Sequence, residues 1–125
     1  LSVHSFPTRR SSDLLAALTY LVSLGKTGLS KIARQNFQKS QYLKKKLESL
    51  QNVEILNERP TYNEFIIKME NPKTLVNNLE EKGFLAPLLL SDFYPNMENQ
   101  LLICVTECVT NEKIGEFVKM AEEVA

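Results

Sequence analysis

Few side chains in this sequence are equipped for chemistry, and their types narrow what that chemistry could be. Cys104 and Cys108 stand four residues apart. Cys104 lies in an apolar run that reads as a strand. If the strand continued to Cys108, their α-carbons would be about 13 Å apart, too far to bridge. Two buried or half-buried free thiols are expected rather than a redox pair. Glu64 and Glu107 sit beside strand residues, where paired carboxylates can act as acid and base. A structural role, accepting backbone hydrogen bonds or pairing with Arg34 or Arg59, is the preferred reading. Gly25-Lys-Thr-Gly28 suggests a phosphate loop but lacks both the Gly-x4-Gly-Lys-Ser/Thr spacing and a preceding strand, so it reads as a helix–helix turn. Lys44-Lys45-Lys46 suggests a phosphate or nucleic-acid patch. Glu48 answers Lys44 at i,i+4 and no aromatic residue interleaves the lysines, which is the pattern of a solvated helix face.

The single histidine is His4, within a segment that looks foreign to the fold. His4–Leu14 matches, over eleven consecutive residues, the one-frame translation of a common sequencing-adapter DNA. Residues 1–14 are therefore set aside as an artefact. The natural chain is expected to start near Leu15, as a C-terminal small domain at 15–125 cut from a larger chain. Without histidine, Ser-His-Asp and Cys-His nucleophile systems are excluded from that domain. Imidazole zinc ligands are missing too, and two cysteines do not complete a tetrahedral site. A Schiff-base lysine needs a desolvated pocket. The lysines from Lys26 to Lys119 instead fall on predicted helix surfaces or ends, apart from Lys68, which alternates with the inward residues of its strand. No catalytic, cofactor-binding or metal-ligating residue is assigned.

The elements that must carry these side chains follow from periodicity. The 125 residues, 43% hydrophobic and of zero formal charge, suit one domain with one core. Balanced charge argues against a general nucleic-acid or membrane-surface role; without Arg9, Arg10 and Asp13 there are 13 basic and 14 acidic residues. No apolar run is long enough to span a bilayer. Leu14–Leu24 is an apolar helix ending at Gly25, and a helix apolar on nearly every side is normally buried all round. A second helix from about Gly28 to Leu50 carries Leu29, Ile32, Ala33, Phe37, Leu43, Leu47 and Leu50 as its inward stripe.

Strands are predicted at Val53–Leu56 and Tyr62–Met69, the latter with Phe65, Ile67 and Met69 inward. Asn71 and Pro72 open a helix that Gly83 closes, with Leu75, Val76 and Leu79 inward. Phe84–Ser91, broken by Pro87, reads as a strand edge or loop. Gln100–Thr106 reads as a central strand buried on both faces. Thr110 caps a last helix, with Glu112 near its positive end and Ile114, Phe117, Val118 and Ala121 inward. This order gives an α+β fold, with helices on one face of a small, mainly antiparallel sheet.

Five phrases in order carry a family resemblance: Ala17–Gly28, Ala33–Leu43, Tyr62–Phe65, Phe93–Pro95 and Leu101–Glu107. Together they resemble the C-terminal end of subunit 1 of the two-subunit glycine dehydrogenase (decarboxylating), the P-protein of the glycine cleavage system. The likeness covers essentially residues 15–125. The chain departs from the pattern where Ala86-Pro87 replaces a glycine-rich turn after Gly83.

The resemblance implies the small domain of an aspartate-aminotransferase-like pyridoxal-phosphate fold, in a cytoplasmic protein. It implies an enzyme that decarboxylates glycine and passes the aminomethyl group to the lipoyl arm of H-protein, the cofactor supplying the electron sink. It places pyridoxal phosphate and its lysine on subunit 2, and makes subunit 2 and lipoylated H-protein the partners in a hetero-oligomer. It leaves this fragment non-catalytic, with no nucleic-acid or membrane partner. Two other readings stay open: a free-standing small α+β binding module, and the small domain of another pyridoxal-phosphate enzyme such as an aminotransferase or cysteine desulfurase.

The apolar Leu14–Leu24 helix yields a prediction. Expressed alone, the chain should associate at roughly tens of micromolar, where exposed apolar surface commonly drives association. Sedimentation showing a clean monomer there would count against truncation.

Overall fold

The computed structural model describes residues 8–124, with side chains from Arg10 onward. His4 and the start of the adapter-like segment lie outside the described residues. The chain divides into two compact units, residues 1–34 and 35–125.

The first unit is helical. Helix α1 is assigned over Thr8–Glu48, with one non-helical residue, Gly25, at φ 61° and ψ −176°. That backbone region is essentially reserved for glycine, because a Cβ would collide with its own peptide. Gly25 thus ends the first arm as expected. Lys26, Thr27 and Gly28 are already helical, so the predicted four-residue turn shrinks to a single residue. One positive-φ residue is enough to interrupt the hydrogen-bond ladder. Thr19 and Ser23 donate to the carbonyls four residues back, Leu15 O and Thr19 O, satisfying their hydroxyls within the helix. Leu14 and Val22 are 70% and 72% exposed, and Leu15, Leu18 and Leu21 are also exposed, so the described residues do not supply the cover their composition calls for.

The second unit is built on a four-stranded antiparallel sheet: β1 (Glu54–Ile55), β2 (Glu64–Lys68), β3 (Leu88–Leu89) and β4 (Gln100–Cys104), in the order β1-β2-β4-β3. The central pair sets Phe65 opposite Ile103 and Ile67 opposite Leu101. Because side chains alternate, this register puts Phe65, Ile67, Leu101 and Ile103 on one face, where all four are buried. Leu43 and Leu47 of α1, Leu75 and Leu79 of α2 (Pro72–Glu81), and Ile114, Phe117 and Ala121 of α3 (Asn111–Glu123) complete that core.

The opposite face carries Glu64, Ile66, Lys68, Gln100, Leu102 and Cys104, exposed or half-buried. The expectation that Gln100–Thr106 is buried on both faces is therefore corrected. β4 is central in pairing but one-sided in burial, because the described helical contacts to the core come from the face of Phe65 and Ile103. For the same reason Cys104 is exposed, and so is Cys108; neither is the buried thiol expected. The inward stripe of α1 also shortens. Leu43, Leu47 and Leu50 contribute to the core, whereas Leu29 and Phe37 are 46% and 45% exposed.

Helix ends and edges follow local chemistry. Pro72 opens α2 where its missing N–H costs nothing, although Asn71 makes no side-chain cap bond. Gly83, at φ 75°, lets its own N–H reach Glu80 O and the N–H of Phe84 reach Leu79 O, closing the helix. Thr110 Oγ1 accepts from the Lys113 N–H at 3.2 Å, a true N-cap. The segment around Pro87 leads into a two-residue edge strand, a position that tolerates a residue unable to donate.

Substituting Phe65→Ala is expected to destabilise the second unit by about 3–5 kcal/mol through the cavity it leaves. Leu18→Ala, at an exposed site, should shift stability by about 0.5 kcal/mol or less. Urea unfolding of the two variants checks the contrast.

Candidate functional site

The densest polar constellation lies along one side of α1 in the second unit. Asn36 and Lys39, three residues apart, share a helix face and reach the loop between β4 and α3. Asn36 Oδ1 accepts the Glu107 N–H at 2.6 Å, and Asn36 Nδ2 donates to the Tyr62 hydroxyl at 3.2 Å. Lys39 Nζ donates to Glu107 O at 2.6 Å and to Val109 O. Further along, Gln41 Nε2 donates to Thr61 O at 2.9 Å and Lys44 Nζ to Asn57 O at 3.2 Å. Asn57 Oδ1 in turn accepts the Ile66 N–H at 2.6 Å, at the start of the β1–β2 pairing. The helix thereby fastens two loops at one end of the central strand pair, the one that leads into β2 and the one that leaves β4, through backbone groups that the sheet leaves unpaired.

This constellation holds loops. It does not make a nucleophile. Lys39, half-buried, has its ammonium engaged by two backbone carbonyls, which leaves it tied to the loop rather than presented to a substrate. Lys44, expected on a solvated face with Glu48, instead donates to a backbone carbonyl, while Lys45 and Lys46 are exposed. Lys46 lies 5.6 Å from the Tyr42 ring centroid. Lys68 is exposed, as its alternation predicts.

The other candidates sit apart. Glu64 is paired across the strands with Cys104 and points from the open sheet face. Glu107 enters the structure through its backbone, held by Asn36 and Lys39. Neither carboxylate pairs with Arg59 among the described residues. The Cys104 thiol is pushed up from its ordinary pKa, first by the water its surroundings displace and then by the negative charge of Glu64. A thiol held in its neutral form is a poor nucleophile near neutral pH. Among the described residues no group of three or more His, Cys, Asp or Glu is placed to hold a metal ion. No helix among them is long and apolar enough to cross a membrane.

Comparison with known proteins decides the family. The family model described as glycine cleavage system P-protein matches residues 10–121. The chain belongs to the glycine cleavage system P-protein family. Among its relatives, the probable glycine dehydrogenase (decarboxylating) subunit 1 of Halalkalibacterium halodurans is 40% identical over 113 residues, covering 90% of this chain and 25% of that protein. The protein of the same name from Shouchella clausii is 40% identical over 111 residues, covering 88% and 25%.

A crystal structure of glycine decarboxylase (P-protein) of the glycine cleavage system, in inhibitor-bound form, superposes with a TM-score of 0.73 at 25% identity, over 86% of this chain and 24% of that one. A mutant of C-DES, with glycine covalently linked to its PLP cofactor, gives 0.70 at 21% identity over 90% and 28%, a likeness of fold alone. The fold is thus that of aspartate-aminotransferase-like pyridoxal-phosphate enzymes, and the chain spans about a quarter of the length of the curated relatives it matches.

The residues of this P-protein segment do not fit a covalent cofactor site. Among the described lysines, the two that are half-buried, Lys39 and Lys44, are engaged by backbone carbonyls, and the others are exposed. Gly25–Gly28 forms one helix break rather than a phosphate cradle. No chemical step through pyridoxal phosphate is derived from these side chains.

Asn36 and Lys39 were not singled out in the sequence, where both read as ordinary polar positions on a helix. Their i,i+3 spacing beside the buried Ser40 and Leu43 is a faint signal that the face is not fully solvated. Lys39→Met keeps the stem and removes the donor. It is expected to cost about 2–3 kcal/mol, as charged hydrogen bonds do, and to raise amide exchange at Glu107, whose N–H Asn36 holds. Thiol alkylation offers a second check. Glu64→Gln removes the charge that raises the Cys104 pKa, so the alkylation midpoint of Cys104 should move to lower pH, read by mass spectrometry across a pH series.

Proposed function

We propose that this chain is the C-terminal small domain of subunit 1 of a glycine dehydrogenase (decarboxylating), and that it serves the enzyme without contributing catalytic groups. The observation that supports this best is the family match over residues 10–121, together with relatives named as subunit 1. The complete protein, on this reading, is a cytoplasmic enzyme. It decarboxylates glycine with pyridoxal phosphate and passes the aminomethyl group to the lipoyl arm of H-protein, its partners being subunit 2 and H-protein in a hetero-oligomer. The lysine that binds the cofactor belongs to subunit 2.

The role left to this domain is mechanical. Its one-sided core makes a rigid body, and the Asn36–Lys39 clamp fixes the β4–α3 loop to the helix that leads back along the chain. Fixed loops on a rigid element are how a fold presents contacts at a defined position. The exposed leucines of Leu14–Val22 supply an apolar helix that a larger body of the same chain would cover. Residues 1–14 are proposed to come from adapter DNA, with the natural frame continuing upstream of Leu15.

Resequencing the source DNA across the Leu15 codon tests the chain's origin. A frame that continues upstream into a large α/β domain, beside a neighbouring frame with a cofactor-binding lysine, is expected. A start codon directly before residue 1 would instead establish a small independent protein. The two complete frames should then be co-expressed. Glycine-dependent carbon dioxide exchange with lipoylated H-protein is expected from the pair and absent from the 125-residue chain alone. Exchange by the isolated chain would overturn the non-catalytic role.

A further inference from the structure

The segment between α2 and β3 runs outside the sheet before it enters as an edge strand, and a cavity of about 240 Å³ opens beside it. Phe84, Pro87 and Leu88 line it from that segment, and Leu102 and Cys104 from β4; inward it reaches the buried Ile114. Leu85, at the same place, is fully exposed. The lining is apolar with a single charged residue among the described ones, Lys113. Its ammonium lies 4.2 Å from the Phe84 ring centroid, so the cation sits over an aromatic ring of the cavity wall.

Lys113 supplies the one cation of the lining, while the Cys104 thiol, also in the lining, is kept neutral and Glu64 stands across from it on the neighbouring strand. An anion is favoured beside Lys113 and disfavoured beside Cys104. An apolar wall with one placed charge is the general form of a small-ligand site.

We propose that this cavity binds an aliphatic carboxylate, its carboxylate on Lys113 and its chain against the apolar lining. A cavity of about 240 Å³ has room for a short aliphatic chain. Lys113, the one cation of the lining, sets where the carboxylate lies. This ligand site is independent of the role assigned to the whole enzyme.

Octanoate is the probe, titrated into the isotopically labelled chain and followed by amide shifts. Saturable shifts confined to Phe84–Leu88, β4 and the first turns of α3 are expected, with a dissociation constant on the order of 1 mM. Octanol, of the same length without the charge, should bind about tenfold more weakly. Lys113→Gln should lower octanoate affinity about tenfold and leave octanol unchanged, and Lys113→Arg should restore octanoate. Bound octanoate should also slow alkylation of Cys104 relative to Cys108 in the same sample. The idea is sunk if no saturable shifts occur, if they map to Leu14–Val22, or if Lys113→Gln binds octanoate as tightly as the parent chain. Lys113 is exposed, so its loss leaves the core intact and the comparison readable.

Discussion

The second unit depends on a sheet that buries only one of its faces. Pairing Phe65 with Ile103 and Ile67 with Leu101 commits the odd-numbered side chains of the two central strands to the core and the even-numbered ones to the other side. A slip of one residue would exchange the two sets and place Glu64, Lys68 and Gln100 among leucines. The register is therefore fixed by the cost of burying charge as much as by the gain of burying carbon. Once it is set, α1, α2 and α3 have a single apolar surface to cover, and each brings a short stripe of leucine, isoleucine or phenylalanine to it.

The polar contacts around that core are mostly ties between a helix and the backbone of loops. Asn36, Lys39, Gln41 and Lys44 all engage main-chain groups at the Asn57–Thr61 and Glu107–Val109 segments, and Asn52 Nδ2 donates to Ala121 O at 2.7 Å near the end of α3. Such bonds leave fewer loop groups unpaired and hold the loops in one conformation. The salt bridge Lys119–Glu123, at 4.0 Å between exposed side chains, adds little by comparison. Rigidity here comes from side chain–backbone bonds, which is consistent with a domain that presents loops without performing chemistry on them.

Much of this architecture was legible in the sequence because its signals are local. Alternation at Phe65, Ile67 and Met69 marks the buried strand face, Pro72 and Gly83 bracket α2, and Thr110 caps α3 through its own hydroxyl. The exposed state of Cys104 was not legible. A continuous apolar run looks alike whether one face or both are covered, and only the placement of the helices separates the two. The same ambiguity hid the shortening of the α1 stripe. Leu29 and Phe37 keep the spacing of core residues, but the described residues do not cover them.

What the sequence determined by itself was the order and type of the elements, the absence of histidine beyond residue 4, and the family, since capping residues, hydrophobic period and five ordered phrases are properties of short stretches. What only the tertiary structure decided were pairings between residues distant along the chain. Lys39 meets Glu107 and Val109 across 68 and 70 positions, Glu64 faces Cys104, and Lys113 closes over Phe84. Helix and strand are chosen by neighbours a few residues away, whereas the partner of a buried or half-buried polar group is chosen by how the strands cross and which face the helices cover.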